Sequence, residues 1–110
     1  MIVVKHIVFN AYEPDLSQAQ IEKIIADYGN LINVVPELKE WHWGVDLGPE
    51  VEDRADGFTH SYESTFDTVE EFLTFMSAPP TVAFAKEFFP ASKKVAVLNY
   101  ILCETFPGRT

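Results

Sequence analysis

The chain of 110 residues is poor in the groups that carry metal, redox and phosphate chemistry: one cysteine, three histidines, five glycines, and eight Lys+Arg against seventeen Asp+Glu. A single thiol, Cys103, allows neither an intramolecular disulfide nor a metal-thiolate cluster, which fits a reducing, cytoplasmic setting. No glycine-rich loop is present to cradle a nucleotide phosphate, so no nucleotide cofactor is expected. The formal charge of −9 repels phosphate backbones and anionic headgroups, which excludes nucleic acid and membrane surfaces as partners on electrostatic grounds. No apolar run approaches the roughly 20 residues of a membrane span. The opening run, Ile2 to Phe9, is broken by Lys5 and His6 and reads as a strand rather than a signal peptide.

What the chain has in quantity is apolar and aromatic surface: 47% of residues are hydrophobic, with nine Phe, four Tyr and two Trp. A domain of this size builds one core. So many rings exceed what one small core needs, which points to a cavity or a subunit contact. Residues 1–104 read as one domain and 105–110 as a flexible tail. Ile2 to Phe9 is β-branched and apolar on both faces, as in a strand covered on both sides. Ser17 with Gln20 forms a capping-box pattern. Ile21, Ile24, Ile25, Tyr28, Leu31, Ile32 and Val35 then recur every three or four residues, predicting one amphipathic helix from Ser17 to Val34, closed by Pro36.

Trp41, Trp43, Val45 and Leu47 alternate with His42, Gly44 and Asp46, predicting a second strand with one apolar face. The acidic stretch 48–56 is an exposed loop, open to a lid role. A third strand from Phe58 to Phe66 sets Phe58, His60, Tyr62, Ser64 and Phe66 on one side. Thr68 with Glu71 opens a short helix with Val69, Phe72, Leu73 and Met76 inward, and Ala78-Pro79-Pro80 interrupts it. A further short helix through Val82, Phe84, Ala85 and Phe88 ends at Pro90, and Lys94 to Cys103 forms the last strand. The order β-α-β-β-α-β predicts a ferredoxin-like α+β fold with an antiparallel four-stranded sheet. Its helices cover one face only, and the other is too apolar to stand in water. A second copy is the simplest cover, which predicts a homodimer with a barrel-like interior.

Val4-Lys5-His6, Tyr28 with Asn30-Leu31-Ile32-Asn33 and Pro36, Trp43-Gly44, Gly57-Phe58-Thr59-His60 with Thr65-Phe66, and Val82-x-Phe84 together resemble the stress-responsive A/B barrel (Dabb) family of dimeric α+β barrels. The resemblance runs from Val4 to about Tyr100. It implies that fold and an apolar pocket in each subunit. Its members include plant polyketide cyclases, proteins of stress response, and a branch that acts as a hydroxynitrile lyase. The resemblance places His6, Tyr28 and His60 on pocket-lining positions. The cyclases' catalytic positions differ: Thr81 stands at the basic histidine, Asn99 at the aspartate that orients it, and Phe75 at the assisting tyrosine. A threonine cannot act as a base near neutral pH, and Asn99 would then have no imidazole to orient, so the cyclase mechanism does not transfer.

His6 shares its strand side with Val4 and Val8, either as a core histidine satisfied by a neighbour or as a pocket group. The first and third strands are neighbours in this fold, so His6 and His60 are expected to approach across one face as acid/base or carbonyl-polarising groups. Tyr28 is the one polar-tipped residue of its helix stripe and a candidate hydrogen-bond donor. Phe75, Thr81, Phe84 and Trp43 are expected to shape the pocket, with Asn99 and Tyr62 as further substrate contacts. His42 faces away, so no three-histidine metal site is expected. Cys103 has no histidine near it in sequence to activate it. The expected function is a cofactor-free small-molecule enzyme, a lyase or a polyketide cyclase-like protein, acting by His/Tyr chemistry on an apolar or aromatic ligand. The alternative is a non-catalytic, stress-responsive dimer that binds such a ligand.

Overall fold

In the computed structural model, which describes residues 2–108, eight elements follow in order: β1 (Val4–Tyr12), α1 (Gln18–Gly29), α2 (Leu31–Val34), β2 (Glu40–Val45), β3 (His60–Phe66), α3 (Val69–Ser77), α4 (Pro79–Ala91) and β4 (Ser92–Ile101). The four strands form one antiparallel sheet in the order β2-β3-β1-β4, so two interleaved β-α-β units place β1 at the centre. This is the ferredoxin-like arrangement expected from the hydropathy pattern. One helical layer lies on one sheet face, and the molecule is 21 Å thick in its short dimension. Among the described residues no helix is long and apolar enough to cross a membrane.

Strand alternation sets the two faces. Val4, His6, Val8 and Asn10 of β1 and Tyr62, Ser64 and Phe66 of β3 are buried beneath the helices. Ile24, Ile25, Tyr28, Leu31, Phe72, Phe75, Phe84 and Phe88 close on them from above. Burying one such large side chain stabilises the fold by about 1.5–3 kcal/mol. The opposite face carries Ile7, Phe9, Ala96 and Leu98 beside a Lys5–Glu63–His42 ion group.

Several local expectations change. The Ser17–Gln20 capping box forms in both directions, but the long helix divides at Asn30 into α1 and α2. β1 runs past Phe9 to Tyr12, because the Asn10 side chain finds partners inside the core and does not need to end the strand. β3 starts at His60, since Asp56 and Gly57 take positive φ angles of 52° and 82° and Phe58 N–H donates to Ala55 in a turn. In α3 the inward pair is Phe72 and Phe75, while Val69, Leu73 and Met76 stay largely exposed. Rings decide this: Phe72 and Phe75 lie 5.4 and 4.9 Å from the Phe66 ring. Likewise in α4 Thr81 is buried and Val82 is not. Pro90 does not end α4, which continues one residue further, although Pro90 offers no N–H to the carbonyl four residues before it. β4 spans Ser92–Ile101, leaving the exposed Cys103 outside it. Of the expected tail, 105–108 carries no regular structure, and Arg109 and Thr110 lie outside the described residues.

Candidate active site

Between the sheet and the paired helices α3 and α4 lies a cavity of about 130 Å³, lined by His6 and Val8 of β1, Tyr28 and Leu31, Phe75 and Met76, Thr81, Phe84, Ala85, Phe88 and Phe89, and Val97 and Asn99 of β4. A cavity of about this size can hold a single benzene-sized ring. Its wall is apolar except for His6, Tyr28, Thr81 and Asn99. A larger cleft of about 570 Å³ opens on the other sheet face around Phe9, Phe58 and Ser61. It gathers fewer buried polar groups, so size alone does not mark the chemistry.

Register builds the centre of the small cavity. His6 is paired with Asn99 on β4 and with Ser64 on β3, and residues directly opposite share a face. His6 Nδ1 therefore meets Asn99 Oδ1 at 2.5 Å. An amide oxygen only accepts, so Nδ1 carries the proton and Nε2 keeps its lone pair. The imidazole is buried and packs against Phe72 and Phe75, with centroids 5.2 and 6.5 Å away. That burial pushes its pKa below the ordinary 6.5, against a smaller upward pull from Asn99, so the ring is a neutral base at neutral pH. Asn99 thus does have an imidazole to orient: it is His6, not a residue at position 81.

Tyr28 sits 5% exposed within a cage of rings, 4.7 Å from Phe84 and 5.0 Å from Tyr62. Burial raises its hydroxyl pKa well above the usual value, so it stays protonated and can donate. Ser64 Oγ neighbours this hydroxyl but meets no partner at hydrogen-bonding geometry. Thr81 Oγ1 is also buried without a partner. Phe75 and Phe84 complete the wall.

His60 is placed elsewhere. It is opposite Asn10, four positions along β1 from His6, or about 13 Å at strand rise. The expected approach of the two histidines fails because they share a face but not a rung. His60 instead stacks between Trp43 and Tyr62, at 6.2 and 6.3 Å, and its Nδ1 lies 2.7 Å from Thr59 Oγ1. Burial lowers its pKa as well. Trp43 is 44% exposed on β2, beyond the reach of the helices, and does not line the cavity. Tyr62 is fully buried below it, its hydroxyl donating to Asn10 Oδ1 at 2.9 Å and lying 2.7 Å from the Tyr12 hydroxyl. Asn10 Nδ2 in turn donates to Ser92 Oγ. This polar cluster has no signal in the sequence, because Tyr12 joins it only through the extension of β1 beyond Phe9. Among the described residues no three His, Cys, Asp or Glu side chains gather as a metal site.

Comparison with known proteins agrees with this architecture. A solved structure of a hydroxynitrile lyase from Passiflora edulis is 68% identical, with a TM-score of 0.91 over 96% of this chain and 97% of that one. The stress-response A/B barrel domain-containing protein HS1 of Arabidopsis thaliana is 35% identical over 88% of this chain and 87% of its own length. Olivetolic acid cyclase of Cannabis sativa is 28% identical over 90% and 96%. The family model of the stress responsive A/B barrel domain matches residues 4–102, and the chain belongs to that family.

Proposed function

We propose that this protein is a lyase that splits a hydroxynitrile into an aldehyde and hydrogen cyanide without a cofactor. The observation that carries the reading is His6, a neutral imidazole fixed by Asn99 at the wall of a ring-sized apolar cavity, with the Tyr28 hydroxyl on the same cavity. The likeness to the Passiflora edulis lyase supports it. His6 Nε2 takes the substrate hydroxyl proton while Tyr28 donates to the same oxygen. As the carbonyl forms, the carbon–carbon bond breaks and its electron pair leaves as cyanide. His6 returns the proton to cyanide, so base and charge are both restored. Phe75 and Phe84 hold the apolar part of the substrate. Polyketide cyclisation fits less well, because Phe75 and Thr81 offer no proton-transfer group. A homodimer follows from the apolar sheet face, which the helices leave bare.

The test is cleavage of benzaldehyde cyanohydrin, followed by ultraviolet absorbance of the released aldehyde. His6→Ala should lower kcat/KM by about 10²–10⁴-fold. Tyr28→Phe should lower it by about tenfold, the loss of one hydrogen bond of ordinary strength. His60→Ala should retain most activity. Binding of benzaldehyde without turnover by the wild-type protein would refute the lyase reading and favour a ligand-binding role.

A further inference from the structure

We infer that the first turn of α4 forms a subsite for a small linear anion, with Thr81 as the group that receives the departing cyanide; the identity of the anion rests on the lyase reading. Thr81 is 9% exposed, lines the same cavity as His6, and its Oγ1 has no hydrogen-bond partner. A buried hydroxyl without a partner costs stability, so its presence on a cavity wall points to a bound group that completes it. The backbone adds to this. Pro79 and Pro80 open the thirteen-residue helix and have no N–H, while Val82 N–H is taken by Ala78 O at 3.0 Å. Thr81 is therefore the first residue of α4 with a backbone N–H, and it stands at the positive end of the helix on the cavity wall. No acidic side chain occupies the first turn of α4, so no internal anion competes for that end.

The chemistry uses such a pole. When the hydroxynitrile splits, the hydroxyl proton moves to His6 Nε2, the oxygen's electron pair becomes the carbonyl, and the pair of the broken bond stays on the nitrile carbon. Charge spreads from that carbon to its nitrogen until the proton returns through His6. Nothing is oxidised or reduced. A donor placed at the nitrile end stabilises charge that the ground state lacks. The probe is thiocyanate, a linear anion that cannot react. Wild-type protein should bind it saturably, with the largest amide shifts at Thr81 and Val82 by NMR, and thiocyanate should compete with benzaldehyde cyanohydrin. Thr81→Val, which keeps the shape, should weaken binding about tenfold, and Thr81→Ser should restore it. Thr81→Ala serves as a second hydroxyl-free variant if the valine does not fold. Absence of saturable binding, or equal binding by the hydroxyl-free variants, overturns the subsite. Thiocyanate binding at Thr81 in a protein that cleaves no cyanohydrin upholds the subsite and refutes the lyase reading, so the two failures are separable.

Discussion

Asn99 decides what His6 can do. A bare imidazole on an apolar wall would rotate and exchange tautomers; the amide oxygen 2.5 Å from Nδ1 holds one tautomer and one orientation. Because burial lowers the His6 pKa, the base form predominates at pH 7, and the acid limb of kcat/KM for cyanohydrin cleavage should fall below 6.5. Asn99→Asp would put a carboxylate on the imidazolium and stabilise the charged ring, so that limb should move to higher pH and activity at neutral pH should fall. A pH profile of the two proteins measures the shift, and an unmoved limb would show that another group is titrating. His6 is visible in the sequence as a polar residue in an apolar strand, whereas Asn99 and Thr81 are singled out only by the family resemblance. That His6 and Asn99 touch is not visible, because they stand 93 residues apart and only the β1–β4 register joins them.

At the scale of elements, the first helix is the clearest part of the sequence and still holds a detail that periodicity misses. The stripe of Ile24, Ile25, Tyr28 and Leu31 is buried as its spacing requires. The division at Asn30 follows a glycine whose place is set by a ring. A Cβ on Gly29 would lie 2.8 Å from Trp41 Cζ3. Trp41 has little room to withdraw, with Tyr28 at 5.3 Å and Tyr62 at 6.4 Å. Helix propensity alone favours Gly29→Ala by about 1 kcal/mol. Overpacking costs about 1–3 kcal/mol and should win, so the variant should unfold at lower urea concentration than wild type. A higher midpoint would mean that Trp41 moves freely. The inward face of α3 departs from its hydropathy pattern for a related reason: several apolar stripes are available, and aromatic contact with Phe66 selects Phe72 and Phe75. Hydropathy ranks residues by polarity, whereas the core selects them by shape.

For the whole molecule, the strand order and the one-sided helical layer follow from the alternation of polar and apolar residues, and with them the bare sheet face. β4 is an edge strand on which Val97, Leu98 and Ile101 are about half exposed. A long apolar edge of this kind invites pairing with another chain. Leu98 points away from the cavity, so Leu98→Glu should shift the protein from dimer to 12.5 kDa monomer by light scattering while preserving thiocyanate binding at Thr81. A wild-type monomer at micromolar concentration would refute the dimer. The ring series Trp43–His60–Tyr62–Tyr28–Phe84 crosses the sheet from an exposed edge to the cavity wall, with neighbouring centroids 4.7–6.3 Å apart. Trp41 lies beside its inner half and Trp43 at its outer end. The two indoles therefore sit at different depths of one aromatic row, and the inner one shares a partner, Tyr28, with any molecule that enters. Intrinsic fluorescence becomes a built-in gauge of occupancy: filling the cavity should alter the Trp41 emission, while an external quencher such as iodide acts first on Trp43.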